Sequence, residues 1–147
     1  MPNNRRISIT LKRDRALHAT RVSVGKSKLV YILVTDKRLK YPLGKSRIAY
    51  IGTTRRGIRR VASSAARHAD EILSLRGVRS FDARVVTCQP RQRVKTWFVL
   101  ERALLVAFRE KYGSQPKCNS HGKKFKRRDE FEYFSQKRIA AILDEIS

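Results

Sequence analysis

Two tyrosines, a group of arginines and one glutamate carry most of the chemistry that this sequence offers. Tyr31 lies in the apolar run Leu29-Val30-Tyr31-Ile32-Leu33, and Tyr50 lies in Ala49-Tyr50-Ile51-Gly52. Between them, Asp36 to Ser46 is polar, basic and broken by Pro42 and Gly44, so the runs read as two strands joined by a long hairpin connection. Neighbouring strands could put both phenols on one face, although aromatic residues are ordinary sheet formers and core packing alone would account for them. Gly52 allows a sharp turn, and Thr53 or Thr54 could cap a following helix that opens on Arg56, Arg59 and Arg60. Arginines at a helix N-terminus beside two phenols suit a phosphodiester, because guanidinium groups grip phosphate oxygens through paired hydrogen bonds. Glu101 stands inside the apolar stretch Trp97 to Leu105. A carboxylate near a buried face must be paired or bind a metal, and a bond to an arginine or a tyrosine is the plainer alternative.

The elements that must hold these groups follow from hydrophobic spacing. From Gly57 to Leu75, apolar residues at Ile58, Val61, Ala62, Ala65, Ala69, Ile72 and Leu73 recur every three or four positions, an amphipathic helix with Arg56, Arg59, Arg60 and Arg67 on its other faces. A turn over Leu75 to Arg79 leads to a strand from Phe81 to Cys88, ended by Pro90. A second helix is expected from about Gln92 to Tyr112, burying Trp97, Leu100, Leu104, Leu105 and Phe108 and stopping at Gly113. After a polar loop, Asp129 can cap a third helix over 129–146 with Phe131, Phe134, Ile139, Ile142 and Leu143 as its apolar stripe. Ile7-Ser8-Ile9-Thr10-Leu11 alternates at period two like an edge strand. Residues 1–147 thus read as one α+β domain: a small three-stranded antiparallel sheet centred on the tyrosine hairpin and flanked by helices, with an N-terminal extension over 1–27.

Charge narrows the partner. A formal net charge of +23 repels itself unless a polyanion binds, and nucleic acid is the leading candidate. An anionic membrane would call for an apolar span or a basic amphipathic helix, and no apolar run approaches a span. Contacts to phosphates are expected from the hairpin (Lys37, Arg38, Lys40, Lys45), from the helix arginines Arg56 and Arg59, and from the run Lys123, Lys124, Lys126, Arg127 and Arg128. Several of the acidic residues lie beyond Arg128, which leaves the rest more basic. Cys88 and Cys118 lack the spacing of a zinc site or a disulfide framework and fit a reducing compartment. Without an apolar leader core the chain reads as intracellular, cytoplasmic or nucleoid and nuclear, and its Arg-rich start leaves organellar targeting open.

Taken together, Leu29-Val30-Tyr31, the hairpin, Ala49-Tyr50-Ile51-Gly52, a helix arginine, a later glutamate and Pro116-Lys117-Cys118-Asn119 resemble the GIY-YIG nuclease domain over about 28–124. The YIG element is literal. Of the GIY element only the tyrosine remains, Leu29 and Val30 replacing its first two residues, and the connection between the tyrosines is longer than is usual. The resemblance implies paired catalytic phenols at Tyr31 and Tyr50, a catalytic arginine at Arg60 with Arg59 and Arg56 as fallbacks, a metal ligand at Glu101 and a supporting Asn119. It implies Mg²⁺, or Mn²⁺ in its place, and metal-assisted hydrolysis of phosphodiesters, with DNA ahead of RNA as substrate. Tyr50, assisted by Tyr31, would deprotonate or orient the attacking water, nearby positive charge lowering the phenol's barrier to ionisation. Where many members carry His or Tyr one turn past the arginine, this chain has Ser64, with His68 a further turn on as a minor candidate. The alternative is a non-catalytic nucleic-acid-binding protein of the same fold, such as a ribonucleoprotein or ribosome-associated component.

Overall fold

The run around Tyr31 is apolar at five successive positions, which suits a strand only when both of its faces are covered. In the computed structural model, which describes residues 6–119 and 131–147, this run opens β1 (Leu29–Tyr41), whose first five side chains are all buried. β2 (Gly44–Thr54) and β3 (Phe81–Val86) pair with it antiparallel on either side, so the strand carrying Tyr31 is central. Three helices follow the expected order: α1 (Ile58–Leu73), α2 (Thr96–Tyr112) and α3 (Gln136–Ile146). The architecture is the α+β one expected.

The connection between the tyrosines is the first departure. It is a continuation of both strands closed by a tight turn at Pro42 and Leu43, with register irregularities between Leu33 and Leu39. Arg38, Lys40 and Lys45 point outward while Leu39 and Tyr41 point in, a period-two alternation that basic residues and a proline obscure in the sequence. What holds the extension is an aromatic cluster: the Tyr41 ring lies 5.1 Å from Phe108 and 5.9 Å from Tyr112, centre to centre. Its hydroxyl donates to the Ile48 carbonyl at 2.7 Å and accepts from the Lys117 N–H at 3.0 Å.

Other boundaries moved for identifiable reasons. α1 is not capped by Thr53 or Thr54. It starts behind Gly57, whose φ of 74° suits glycine and whose N–H donates to the Ser27 carbonyl at 2.8 Å. Thr53 bonds back across the sheet to the Leu29 carbonyl instead. α2 begins at Thr96 rather than Gln92, because Arg91 and Val94 form a small bridged turn with Arg93 at φ 63°. Its C-terminal stop is as expected, Gly113 adopting φ 84° and donating to the Arg109 carbonyl at 2.8 Å. Asp129 lies outside the described residues. The final helix starts at Gln136 behind Ser135, whose hydroxyl accepts from the Arg138 N–H, and residues 131–133 form a separate helical turn ahead of it. α3 packs on α2 through Ile139, Leu143 and Ile146, with a Lys111–Asp144 ion pair at the seam.

The N-terminal edge strand is not formed. Residues 7–11 pair with nothing in the sheet, and Ile7, Ile9 and Leu11 stand almost fully in solvent. Alternation supplies the side-chain pattern of a strand but not the backbone partner, and a lone strand has no ladder to satisfy it.

Burial pushes the Tyr41 phenol up to about 12 against an ordinary value of 10. The folded state therefore holds this proton more tightly than the unfolded chain, so the contribution is complete below pH 10 and is lost as pH rises toward 12. Tyr41→Phe should destabilise the protein by about 1–3 kcal/mol, since the Lys117 N–H and the Ile48 carbonyl lose their partner. Denaturant midpoints measured between about pH 8 and 12 should fall at the alkaline end for the native chain and less for the variant.

Candidate active site

Cross-strand register brings the two tyrosines together. Tyr31 lies opposite Gly52 and Leu33 lies opposite Tyr50, so both phenols project from one face as diagonal neighbours. Their rings are 5.8 Å apart, centre to centre. Gly52 is the enabling residue, though not by making a turn: it sits within β2, and the Tyr31 ring rests where a side chain would be. A Cβ there would come within 2.6 Å of the Tyr50 ring and 2.8 Å of the Tyr31 hydroxyl.

α1 covers this face with polar as well as apolar groups. Its inward residues are Val61, Ser64 and Ile72, flanked by Ala65 and His68, while Ile58 and Leu73, expected in the apolar stripe, are exposed. The helix is thus rotated relative to its apolar spacing. Ser64 accepts the Tyr31 hydroxyl at 2.7 Å, both groups being buried. His68 stacks on Tyr50 with ring centres 4.3 Å apart. Its Nδ1 is 3.7 Å from the Glu71 carboxylate, and its Nε2 is buried without a hydrogen-bond partner among the described residues. That the serine would engage Tyr31 was not visible in the sequence.

Arg60 is exposed, and it shares one helix stripe with Ser64 and Arg67, four and three residues on. The Arg67 guanidinium acts on Tyr50, its positive charge opposing the rise of the phenol's pKa. The seven-residue spacing of Arg67 from Arg60, two helical turns, is the sequence signal that puts both on one stripe. Arg59 faces away from this stripe and Arg56 precedes the helix, its N–H held by the Thr54 hydroxyl at 2.9 Å.

Glu101 comes from α2, is 2% exposed, and lies close enough to Tyr50 to raise its pKa. Asn119 grips the outer edge of β2: its side-chain oxygen accepts from the Ile51 N–H at 3.0 Å and its amide donates to the Ile51 carbonyl at 2.8 Å. The Cys118 N–H donates to the Ala49 carbonyl at 2.9 Å, so the loop clamps the backbone on both sides of Tyr50. Burial pushes the Cys118 thiol up to about 12, with Glu71 adding to the rise, which leaves it a small apolar filler.

The electrostatics run against a phenolate. Burial raises the Tyr50 pKa well above its ordinary value, and the Tyr31 phenol and the Glu101 carboxylate reinforce the shift. Positive charge was expected to win here. Arg67 opposes the rise, and loss of water outweighs it.

The expected phosphate contacts divide in space. Lys40 and Lys45 face each other across the hairpin, nine residues along β1 from Tyr31, a distance of roughly 30 Å at strand rise. Like charges placed directly opposite destabilise a sheet unless an anion lies between them. Arg38 joins Lys45 around a polar cleft that also takes Lys111 and Asp144, whereas the Lys37 side chain turns toward Gly77. Lys123, Lys124, Lys126, Arg127 and Arg128 lie outside the described residues.

No protein-family model, curated protein or solved structure matches the chain. The site's own geometry therefore carries the functional argument.

Gly52→Ala should cost about 1–3 kcal/mol in stability, because the buried Tyr31 ring and the half-buried Tyr50 ring must move to admit one methyl group. Chemical denaturation measures this, and tyrosine fluorescence of the folded variant should change as the ring pair separates.

Proposed function

We propose that this chain is a metal-dependent endonuclease of the GIY-YIG type that hydrolyses phosphodiester bonds in DNA. The observation carrying the proposal is the convergence of Tyr31, Tyr50 and the Glu101 carboxylate, drawn from β1, β2 and α2, beside an arginine stripe on α1. Packing alone has no need of a buried carboxylate next to two phenols.

Mg²⁺ asks a protein for one or two carboxylates and keeps most of its water, so an all-oxygen set with one buried glutamate fits it, and Mn²⁺ likewise. Glu101 would hold the ion, which when bound supplies Lewis-acid stabilisation of the departing oxygen. Tyr50, holding its proton tightly, acts by hydrogen bonding and orients the attacking water rather than removing its proton. Tyr31, anchored to Ser64, fixes the Tyr50 ring from the side. Arg60 and Arg67 grip non-bridging phosphate oxygens and offset the charge that builds up in the transition state. The opposed Lys40 and Lys45, roughly 30 Å away, would reach the same duplex about nine base pairs along.

A second reading, a non-catalytic nucleic-acid-binding protein such as a ribonucleoprotein component, is favoured by one observation. Tyr31 is 3% exposed with its hydroxyl committed to Ser64, and Glu101 is 2% exposed, so the central groups are sealed. Neither reading involves a membrane: among the described residues no helix is long and apolar enough to cross one.

Nicking of supercoiled plasmid in Mg²⁺ by the native chain and by Glu101→Gln decides between them. The first reading expects cleavage that falls by about a hundredfold or more in the variant, with duplex affinity within a few-fold of native. Absence of cleavage by the native chain, with salt-sensitive binding retained, would establish the second. Equal cleavage by both proteins would assign the activity to a contaminant and reject the first.

A further inference from the structure

The segment ahead of β1 plays no part in the tyrosine site, and its composition is unusual for a solvated tail. Arg6, Lys12, Arg13, Arg15 and Arg21 face only Asp14 as counter-charge. Interleaved with them, Ile7, Ile9 and Leu11 are 89%, 93% and 94% exposed. A purely solubilising tail has no use for large aliphatic side chains at alternate positions.

The root of this arm is fixed. Ser23 is buried, its carbonyl accepts from the Lys26 N–H at 3.1 Å, the Ser27 carbonyl accepts from Gly57, and the Lys28 ammonium lies 4.5 Å above the Trp97 ring. These contacts make the arm leave the body beside the N-terminus of α1, where Arg55, Arg56, Arg59 and Arg60 gather. From that end to Ser64, the partner of Tyr31, is about 9 Å along the helix. The arm therefore departs from the end of α1 at which the arginine stripe begins.

We infer that residues 6–22 are a nucleic-acid-contacting arm that extends the basic surface of α1 along the phosphate backbone. Its cationic heads meet phosphates while Ile7, Ile9 and Leu11 lie against the sugar and base edges of a groove, a division of labour that basic arms with apolar wedges use. Charge selects the occupant. A second copy of the chain would bring a net +23 toward a segment of the same sign, and an anionic membrane would call for an amphipathic helix, which residues 6–22 do not form. The inference rests on nucleic acid being the partner and is independent of cleavage.

The test is fluorescence anisotropy of a short labelled DNA duplex, in EDTA so that no strand is cut, over a range of salt concentrations. Three full-length proteins are compared: native, a charge variant (Arg6→Gln, Lys12→Gln, Arg13→Gln, Arg15→Gln) and an aliphatic variant (Ile7→Ser, Ile9→Ser, Leu11→Ser). All substituted positions are exposed, so circular dichroism should show the same folded state for all three. The charge variant should bind at least tenfold more weakly at low salt, and its plot of log affinity against log salt should flatten by about 3 units. The aliphatic variant should bind several-fold more weakly with its slope unchanged. Native affinity and slope in the charge variant would overturn the arm while leaving the nuclease proposal standing. A change in oligomeric state in the aliphatic variant with unchanged duplex binding would also overturn it, in favour of a protein-docking arm. Failure of the native chain to bind DNA would remove both readings, whereas arm-dependent binding without plasmid nicking would remove the nuclease alone.

Discussion

The contact of the Tyr31 ring with the bare backbone of Gly52 is the constraint on which the rest of the site depends. Because no Cβ stands there, a ring on the central strand can cross over its neighbour, lie against Tyr50 and still reach Ser64 on the covering helix. That one close approach couples the two strands to α1. It also sets the rotation of α1, since a buried phenol must find a hydrogen-bond partner and Ser64 supplies it. With Ser64 turned inward, His68 falls onto Tyr50, and Arg67 comes close enough to act on that phenol.

A buried polar cluster of this kind has consequences for its chemistry. Desolvation dominates the titration of Tyr50, so the phenol stays protonated far above neutrality and serves as a hydrogen-bonding group. The loop at Cys118 and Asn119 holds the edge of β2 by three hydrogen bonds around Tyr50. In consequence the ring is fixed from the backbone side, from Tyr31 and from His68 at once. Such rigidity suits orientation of a reactant, since little reorganisation is left for the moment of reaction.

Positive charge is distributed differently. None of the cations of the hairpin, of the start of α1 or of the N-terminal arm is buried, and the hairpin places two lysines opposite each other at a cost to the free protein. This is the arrangement of a surface whose electrostatic energy is lowered by a long polyanion. The stiff aromatic base around Tyr41, Phe108 and Tyr112 projects one end of that surface well away from the tyrosine pair.

Local periodicity makes much of the fold legible in the sequence. The short apolar runs around Tyr31 and Tyr50, the three- and four-residue spacing of α1 and α2 and the glycine stop at Gly113 depend on near neighbours, so they can be read directly from the chain. The net charge belongs to this legible part, whereas the meeting of Tyr31, Tyr50 and Glu101 was implied by the family resemblance and not by periodicity. What only the tertiary structure decided was which polar groups meet: Ser64 with Tyr31, Arg67 with Tyr50, Asn119 with Ile51, and the absence of any partner for Ile7 to Leu11 among the described residues. Those contacts depend on the rotation of a helix about its axis and on which strand edges remain open. Both are settled by burial summed over the whole core, and no short stretch of sequence encodes that sum.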